Sequence, residues 1–419
     1  MNYPEALEQL YSIGKLKKEW DLEVIQRLLA ELGSPQKKMK VINVAGTNGK
    51  GSVTVMVASI LKEAGHPVGQ YTSPHVDDFR ERIVFNGEKI PKGRAARLLE
   101  KVQAAAVKAG VTPSFFEVVT ALALLFFAEK KVAYAVLEAG MGGRLDATNI
   151  GGQECCVITN VSLEHTEMLG KTVEEVSREK AALVTGKLCV TGCYGKALTE
   201  ILRKCEEAGA RVVEVKESWE KKRSDEWANE CKLRLHGEYN VRLSLLGEHQ
   251  FQNAALATAC IEEMGVKASV AAVEAGLAKA KLPARMEVIS REPLVIMDGA
   301  HNPAALKALA RSLKGFSFNR LLLVMGMMED KNVEESVAQV APLASVFVAT
   351  ESRLERSAGA ERVASAAEEH CPRVLREKNP GKALEKALRE AKKGDLVLLT
   401  GSIYVVSEAR GANELAVAQ

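Results

Sequence analysis

The fold of this chain is decided by the segment Val41-Ile42-Asn43-Val44-Ala45-Gly46-Thr47-Asn48-Gly49-Lys50-Gly51-Ser52. An apolar run leads directly into a glycine-rich turn with a lysine and a hydroxyl residue, and helical character follows from Val53 to Ala64. In such a turn, successive backbone N–H groups can face an anion at a helix N-terminus. The lysine can neutralise β- and γ-phosphates, and the serine hydroxyl can bind Mg²⁺. The segment therefore predicts a phosphate-binding loop.

The glycines of this loop, Gly46, Gly49 and Gly51, are expected to adopt backbone angles that are closed to other residues. The spacing departs from the general P-loop pattern, because two residues separate Gly46 from Gly49 and a glycine stands between Lys50 and Ser52. A tight turn without a ligand is the simpler alternative. Glycine alone would explain the turn, but not the lysine and the serine.

Motifs typical of one known family extend over almost the whole chain. They are AGTNGKGSV, TSPH, FRERI, LEAGMGGRLDATN, EHTEMLG, REKAALV, GEHQFQNA, DGAHNP and TGSIYVV. Taken together they are highly specific, and they resemble the folylpolyglutamate synthases and dihydrofolate synthases, a branch of the Mur ligase superfamily. The resemblance implies an ATP-dependent ligase that joins L-glutamate to dihydropteroate and to reduced folates.

Length and composition indicate a globular protein of two or three domains, since the chain has 419 residues of which 47% are hydrophobic. Lysine and arginine number 57 against 54 acidic residues, and no basic block with aromatics occurs, so we expect no nucleic-acid partner. The N-terminus lacks a signal-peptide core, and no run reaches the length of a membrane span. Eight irregularly spaced cysteines indicate reduced thiols. We expect a monomer in the cytoplasm, with no membrane partner.

The alternation of strands and helices predicts an α/β fold in two parts. Residues 1–283 are predicted to form a P-loop-type ATPase domain with a mostly parallel sheet, and residues 284–419 a smaller C-terminal Rossmann-like domain for glutamate ligation. Two helices are expected between Tyr3 and Leu32, and a β-hairpin between Cys231 and Leu246. The other predicted strands are Pro67–Tyr71, Val132–Leu137, Cys155–Val161, Leu294–Met297, Leu321–Met325, Val346–Ala349 and Leu396–Thr400.

A polar loop after the second strand is expected to be exposed and functional. The resemblance implies that it binds the folate substrate through Ser73, His75, Arg80 and Arg82. For the arginines, a solvated charged turn is the alternative.

The apolar helix from Pro113 to Lys130 is similar to the family segment that lines the pteridine pocket. This similarity assigns Phe115 and Glu117 to the substrate, although an aromatic pair on a helix is more often part of the core. Glu117 is harder to explain as core, because an unpaired buried carboxylate costs roughly several kcal/mol.

Donor side chains follow two predicted strands of the first part. One strand ends in Glu138, just before a glycine-rich loop, and the end of the next carries Asn160, Ser162, Glu164 and His165. Open α/β sheets bind ligands at the carboxyl ends of their strands, so Ser52, Glu138 and His165 are predicted to bind Mg²⁺ together with phosphate oxygens. These donors could supply two metal positions. A solvent-exposed strand-end acid and a structural histidine are the alternatives.

Lys180 follows in the segment Ser177-Arg178-Glu179-Lys180-Ala181-Ala182. In the resembling ligases the matching lysine is commonly carbamylated, and its carbamate helps to hold the second metal. Carbamylation needs an amine that is neutral part of the time, which burial and cationic neighbours promote. The family usually has glycine where Ala182 stands, and an ordinary surface lysine is the alternative.

The resemblance also implies the nucleotide contacts. Gln250 and Asn253 correspond to the family's ATP residues, Arg285 in the interdomain linker to its phosphate contact, and Asp298 to a nucleotide ligand. The family more often has glycine where Ala284 stands. His301 is expected at the reacting groups, and Ser402 and Tyr404 resemble the glutamate side of the family's site. The ATP site would thus comprise Gly46, Thr47, Asn48, Gly49, Lys50, Gly51, Ser52, Gln250, Asn253, Arg285 and Asp298.

The predicted reaction transfers a phosphoryl group from ATP to a substrate carboxylate, and glutamate then attacks the acyl phosphate. Lys50, Lys180 and His301 are the predicted catalytic residues, since charge neutralisation is most of what phosphoryl transfer requires. A bifunctional enzyme is the first interpretation, and a monofunctional folylpolyglutamate synthase is the alternative. A non-catalytic nucleotide-sensing protein would also keep the P-loop, but it would not need Glu138, His165, Lys180 and His301.

Overall fold

Three β-sheets organise the chain in a computed structural model that describes residues 2–13 and 21–411. The first sheet has eight strands in the order β4-β3-β2-β5-β1-β6-β7-β8, and its neighbours from β2 to β8 pair in parallel. These strands are β1 Lys40–Ala45, β2 Val68–Tyr71, β3 Ile83–Phe85, β4 Glu88–Lys89, β5 Tyr134–Glu138, β6 Cys155–Ile158, β7 Leu188–Thr191 and β8 Arg211–Glu214.

Helices cover both faces of this sheet. The helices of this part are α1 Tyr3–Ser12, α2 Glu23–Glu31, α3 Lys50–Glu63, α4 Lys92–Ala109, α5 Phe115–Glu129, α6 Thr166–Leu169, α7 Val173–Ala181, α8 Gly195–Ala208, α9 His249–Glu263 and α10 Val270–Lys279. One face packs against α3, α9 and α10, and the other against α1, α2, α4, α5, α7 and α8. The sheet is therefore buried on both sides, as expected for parallel strands made of continuous apolar runs.

A small antiparallel sheet follows, with β9 Trp219–Ser224, β10 Asn229–Arg234 and β11 Glu238–Leu243. The predicted hairpin corresponds to β10 and β11, and β9 was not predicted. The last sheet has six strands in the order β12-β13-β17-β14-β15-β16, parallel except for β12. They are β12 Glu287–Arg291, β13 Leu294–Met297, β14 Leu321–Met325, β15 Val346–Ala349, β16 Val374–Arg376 and β17 Leu396–Thr400.

The helices of this last part are α11 Pro303–Leu313, α12 Val333–Val340, α13 Ala360–Glu368, α14 Pro380–Glu390 and α15 Ile403–Ala409. The predicted fold class, a P-loop-type domain with a mostly parallel sheet and a smaller C-terminal α/β domain, is confirmed. The boundary between residues 283 and 284 stays a prediction. Among the described residues, no helix is both long and apolar enough to cross a membrane.

Candidate active site

A cavity of about 1270 Å³ lies where loops at the carboxyl ends of the two parallel sheets face each other. Most of the predicted site residues line it: Thr47, Asn48, Gly49, Lys50, Gly51, Ser52, Ser73, Arg82, Phe115, Glu138, His165, Lys180, Gln250, Asn253, Arg285, Asp298, His301 and Ser402. Four predicted residues do not line it, namely Gly46, His75, Arg80 and Glu117. The structure thus brings most of the predicted nucleotide, metal and substrate residues to one place.

The phosphate loop joins β1 to α3, and its glycines serve two different purposes. Gly46 and Gly49 have φ angles of 141° and 85°, which L side chains rarely adopt. Gly51 lies inside α3, so the expectation of a special backbone angle is wrong for this residue. Close packing favours glycine at this position, since a Cβ there would lie 3.0 Å from Leu282 and 3.4 Å from the carboxylate of Glu138.

Two lysines converge on the carbonyl of Gly46. Lys50 Nζ donates to the carbonyl oxygens of Gly46 and Thr47, each at 3.0 Å, and Lys180 Nζ donates to Gly46 at 2.8 Å. Burial, followed by the nearby charge of Lys50, lowers the pKa of Lys180 to about 7, against the opposing effect of Glu164. The alternative of a surface lysine is therefore wrong, because Lys180 is buried.

Glu138 ends β5 in a buried position beside the phosphate loop. Its Oε2 accepts a hydrogen bond of 2.9 Å from the backbone N–H of Ser73. Burial raises the pKa of Glu138, and this effect outweighs the opposing charge of Lys50 and the Ser73 hydrogen bond. A buried carboxylate beside the first turn of α3 and Ser52 is available for a cation that would compensate its charge.

His165 precedes α6 and takes a left-handed backbone conformation with φ 49°. Burial and then the charge of Lys331 lower its pKa to about 4, so the imidazole is neutral near pH 7. Neutral imidazole is the form that binds metals. Among the described residues, no cluster of three or more histidine, cysteine or acidic side chains suits a metal ion. Ser52, Glu138 and His165 line the cavity beside the phosphate loop, where phosphate oxygens could complete the coordination of a cation.

Arg82 lines the part of the cavity that also contains Ser73 and Phe115. Its Nε donates a hydrogen bond of 2.8 Å to Nδ1 of His75, and its guanidinium lies 5.3 Å from the ring centre of Phe115. Burial, then the charge of Arg82, hold the pKa of His75 well below its usual range, which keeps the imidazole neutral. The prediction that His75 binds the folate substrate does not fit its position, because its ring does not line the cavity and instead accepts a hydrogen bond from Arg82.

Arg80 and Glu117 are also corrected by their surroundings. Arg80 is turned to Asp78, with Nη2 at 2.6 Å from Oδ2. Glu117 closes a capping box at the start of α5, where its Oε2 accepts from the backbone N–H and the hydroxyl of Ser114, both at 2.7 Å. The carboxylate is therefore buried because it caps the helix, and no ligand is needed to explain it.

The nucleotide side of the cavity is formed by the start of α9. Asn253 Nδ2 donates to Gln250 Oε1 at 2.8 Å, whereas Gln250 Nε2 is buried without a partner among the described residues. Asn253 also reaches the phosphate loop, since a Cβ on Gly49 would lie 2.5 Å from its Oδ1. A buried amide N–H₂ without a partner is a candidate donor to a ligand.

The linker and the end of β13 supply the opposite wall. Asp298 accepts backbone hydrogen bonds from Met286 and Ala300, both at 2.8 Å, and Arg285 Nη1 donates to the carbonyl of Ala284 at 2.9 Å. Ala284 has φ 53°, a conformation that favours glycine. The linker therefore has a shape that suits the glycine usual in the family, although alanine occupies it here.

The last part of the chain adds residues that the sequence analysis did not assign. Lys331 and Arg356 line the cavity together with His301, Ser402 and Tyr404. Ser402 caps α15 by accepting from the backbone N–H of Tyr404 at 3.2 Å. Lys331 lies in the loop after β14. Because ligands bind at the carboxyl ends of parallel strands, this position could have nominated Lys331 as a site residue from the sequence.

Two family descriptions match this chain. The Mur ligase middle domain matches residues 44–261, and the glutamate ligase domain of Mur ligases matches residues 284–403. The dihydrofolate synthase/folylpolyglutamate synthase of Bacillus subtilis is 31% identical over 97% of this chain and 98% of its own length. A Haloferax volcanii protein, "Probable bifunctional folylpolyglutamate synthase/dihydropteroate synthase", is 38% identical over 98% of this chain and 50% of its own. This chain therefore spans about half the length of such relatives.

Solved structures are similar over nearly the full length. Escherichia coli FolC in complex with DHPP and ADP has a TM-score of 0.89 and 30% identity, covering 99% of this chain and 98% of FolC. The bifunctional folylpolyglutamate synthase/dihydrofolate synthase of Yersinia pestis, complexed with AMPPNP and a Mn ion, has a TM-score of 0.86 and 28% identity over 98% of each chain.

Fold, site and these matches define the class of the protein, and the chain belongs to the Mur ligase family. Within that family it lies in the branch of the folylpolyglutamate synthases and dihydrofolate synthases. The resemblance carried by its motifs is confirmed.

Proposed function

We propose that this chain is an ATP-dependent ligase that joins L-glutamate to dihydropteroate and to reduced folates through an acyl phosphate. One observation carries the proposal: the phosphate loop, the buried Glu138 and His301 of the C-terminal part line a single cavity. Relatives named dihydrofolate synthase/folylpolyglutamate synthase, and the complexes of FolC with DHPP and ADP, support the substrates.

In this proposal, residues 1–283 bind the nucleotide and residues 284–419 bring the glutamate side of the site to it. The phosphates of ATP would lie on residues 46–52, with the base toward Gln250 and Asn253. Arg285 and Asp298 would complete the nucleotide site from the linker and β13. The unpartnered amide of Gln250 supports this orientation, because a purine nitrogen would satisfy it.

The chemistry proceeds in two displacements. A carboxylate oxygen of the pteroate attacks the γ-phosphorus of ATP, the bond to the β-phosphate oxygen breaks, and ADP leaves. The glutamate amine then attacks the acyl carbon, the tetrahedral intermediate collapses, and phosphate departs as the amide forms. Lys50 and Arg285 would neutralise the transferring phosphoryl group, and His301 would contact the reacting groups. Enclosure between two domains supports this chemistry, because an acyl phosphate hydrolyses in open water.

Ser52, Glu138 and His165 are proposed to hold Mg²⁺, and two such ions would supply charge neutralisation on the phosphates when bound. The donor set supports a cation of this kind, since it combines a hydroxyl, a buried carboxylate and a neutral imidazole beside the phosphate loop. The Yersinia pestis relative complexed with AMPPNP and a Mn ion supports the use of a divalent metal.

Lys180 is proposed to carry a carbamate and to act as a catalytic residue. Its pKa of about 7 supports this, because a substantial fraction of the amine is then neutral and able to attack carbon dioxide. The carbamate would replace a buried cation with an anion close to the metal donors.

Substrate binding is proposed for Ser73, Arg82 and Phe115 at one end of the cavity and for Ser402 at the other. Arg82 supports an anionic substrate, because it lines the cavity and His75 accepts a hydrogen bond from its Nε alone. The eight cysteines are all free thiols, which agrees with the reducing cytoplasm as the place of action. A monomer without nucleic-acid or membrane partners remains our proposal.

The experiment measures ADP release from ATP with each substrate omitted in turn, and identifies the product by mass. We expect turnover that requires both a pteroate and L-glutamate. Dihydropteroate and tetrahydrofolate are compared as acceptors, because turnover with both identifies a bifunctional enzyme and turnover with tetrahydrofolate alone a monofunctional one. ATP binding without turnover in either arm would contradict the ligase function and favour a nucleotide sensor.

A further inference from the structure

Glu164 is a buried carboxylate in the cavity that takes no part in the proposed transfer. Its side chain is 7% exposed, and its Oε1 lies 3.2 Å from His301 Nε2, 3.6 Å from Lys331 Nζ and 3.8 Å from His165 Nε2. Glu164 and His165 follow β6 of the first sheet, whereas His301 and Lys331 follow β13 and β14 of the last sheet. One carboxylate therefore joins loops from both parts of the chain.

The hydrogen bonds of His301 fix the orientation of its ring. Nδ1 lies 2.8 Å from the carbonyl oxygen of Gly299, and Nε2 lies 3.2 Å from Glu164 Oε1. Gly299 and Glu164 therefore hold the ring through its two different nitrogens. Without Glu164, the Gly299 carbonyl would still hold one nitrogen of the ring, but the other nitrogen would lose this partner.

Glu164 faces basic side chains from both parts of the chain. Its Oε1 lies 3.6 Å from Lys331 Nζ, and Lys50 lines the same cavity. Lys331 is 10% exposed, and its other acidic contact is Asp330 at 3.4 Å. Loss of the Glu164 charge would leave Lys331 with weaker compensation, so its side chain would shift toward solvent or toward the phosphates.

We propose that Glu164 is a positioning residue that holds His301 and Lys331 over the phosphate loop and so aligns the C-terminal part with the nucleotide. The inference rests on the proposed function, in which His301 contacts the reacting groups. In this proposal Glu164 acts through those two side chains. A neighbouring contact agrees with this role, since Asn302, next to His301, is bonded to Asn48 of the phosphate loop.

The test compares Glu164→Gln, which keeps the shape and removes the charge, with Glu167→Gln, an exposed carboxylate three residues further on. We expect Glu164→Gln to lower kcat of ligation by ~10²-fold, as for small misplacements of a reacting group, with KM for ATP and the binding of MgADP within about twofold of wild type. Glu167→Gln should leave all three unchanged. Glu164→Asp should restore part of kcat, because a shorter carboxylate still faces His301 and Lys331.

A double-mutant cycle with His301→Asn separates positioning from a general structural effect. If Glu164 acts through His301, the double variant loses little more than the larger single loss, whereas independent effects multiply. Multiplying losses, a kcat of Glu164→Gln near that of wild type, or a loss of MgADP affinity in place of kcat would each overturn the proposal.

A readout that needs no turnover keeps this inference distinct from the proposed function. In protein labelled with [¹⁵N]histidine, the ring nitrogen signals of His301, assigned through His301→Asn, should change in Glu164→Gln, because Nε2 loses its carboxylate partner. An unchanged His301 signal would overturn the positioning role even in an active ligase. A wild type that binds ATP but does not ligate would instead overturn the proposed function.

Discussion

Asn48 in the phosphate loop and Asn302 at the start of α11 exchange two side-chain hydrogen bonds, of 3.2 and 3.0 Å. Asn302 also caps α11, because its Oδ1 accepts from the backbone N–H of Ala305 at 2.9 Å. The two halves of the cavity are therefore fastened at the point where the phosphates would lie.

Asn302→Ser should remove the hydrogen bonds to Asn48 while keeping the helix cap of α11. Serine caps helices well but is too short to reach Asn48, so we expect ligation to fall by ~10-fold, about the worth of one to two hydrogen bonds, with Tm unchanged. Asn302→Ala should show the same loss of activity and also a lower Tm, since an N-cap contributes about 1 kcal/mol. Turnover is measured as ADP release. A rate of Asn302→Ser equal to that of wild type would show that the contact does not contribute to ligation.

Lys50→Ala should lower ATP-dependent ligation by at least ~10²-fold, roughly the worth of a strong charge contact in a transition state. Its ammonium now rests on the carbonyls of Gly46 and Thr47, within reach of phosphates bound on the loop. Lys62→Ala, an exposed lysine at the end of the same helix, is the matched control. The measurement is the steady-state rate of ligation of both variants. Near-normal turnover of Lys50→Ala would refute the phosphate-loop assignment.

Lys180 should make stability depend on pH in a way that Lys180→Met removes. The folded-state pKa is about 7 against an ordinary value of 10.5, so between these limits the unfolded chain binds a proton that the folded one does not. Wild-type stability relative to Lys180→Met should therefore be lowest at pH 7 and below. It should rise by up to about 1.4 kcal/mol per pH unit toward pH 10.5.

Denaturant unfolding of both proteins in buffer free of carbon dioxide measures this difference. A constant difference across that range would contradict the lowered pKa. Added bicarbonate should increase the activity of wild type and leave Lys180→Met inactive, as a carbamate requires. Full activity of wild type in rigorously carbon dioxide-free buffer would argue for a free lysine.

Arg82 and Arg80 form a natural pair for testing the substrate end. Arg82→Lys loses the hydrogen bond to His75 and the contact with Phe115, so KM for the pteroate should rise by ~10-fold, the worth of one charged hydrogen bond, while KM for ATP stays constant. Arg80→Lys should change neither constant, because Arg80 pairs with Asp78 outside the cavity. Equal effects of the two substitutions would contradict the assignment.

The buried parallel strands were predictable from sequence, whereas the edges were not. Leu321–Met325 coincides with β14 because a continuous apolar run is typical of a strand covered on both faces. β12 is half-buried and β16 has three residues, so neither leaves a strong pattern. The helix α3 begins at Lys50, earlier than its apolar pattern indicates, because the phosphate loop runs directly into its first turn.

Within the site, strand ends located Glu138 and His165, because parallel strands end at one edge of a sheet. Lys331 also follows a strand, but its contact with Glu164 could not be predicted, since this contact depends on how the two sheets face each other. The assignment of Glu117 to the substrate misinterpreted a local sequence pattern. The spacing Ser114-x-x-Glu117 is a capping box, which local geometry alone explains.

An acyl phosphate intermediate requires that an oxygen atom pass from the acceptor carboxylate to the released phosphate. A pteroate labelled with ¹⁸O in its carboxylate is incubated with ATP and L-glutamate, and the released phosphate is analysed by mass spectrometry. Because the carboxylate oxygen that attacks the γ-phosphorus leaves with the phosphate, we predict that each phosphate formed with the amide carries one carboxylate-derived ¹⁸O. Amide formation accompanied by unlabelled phosphate would contradict the account.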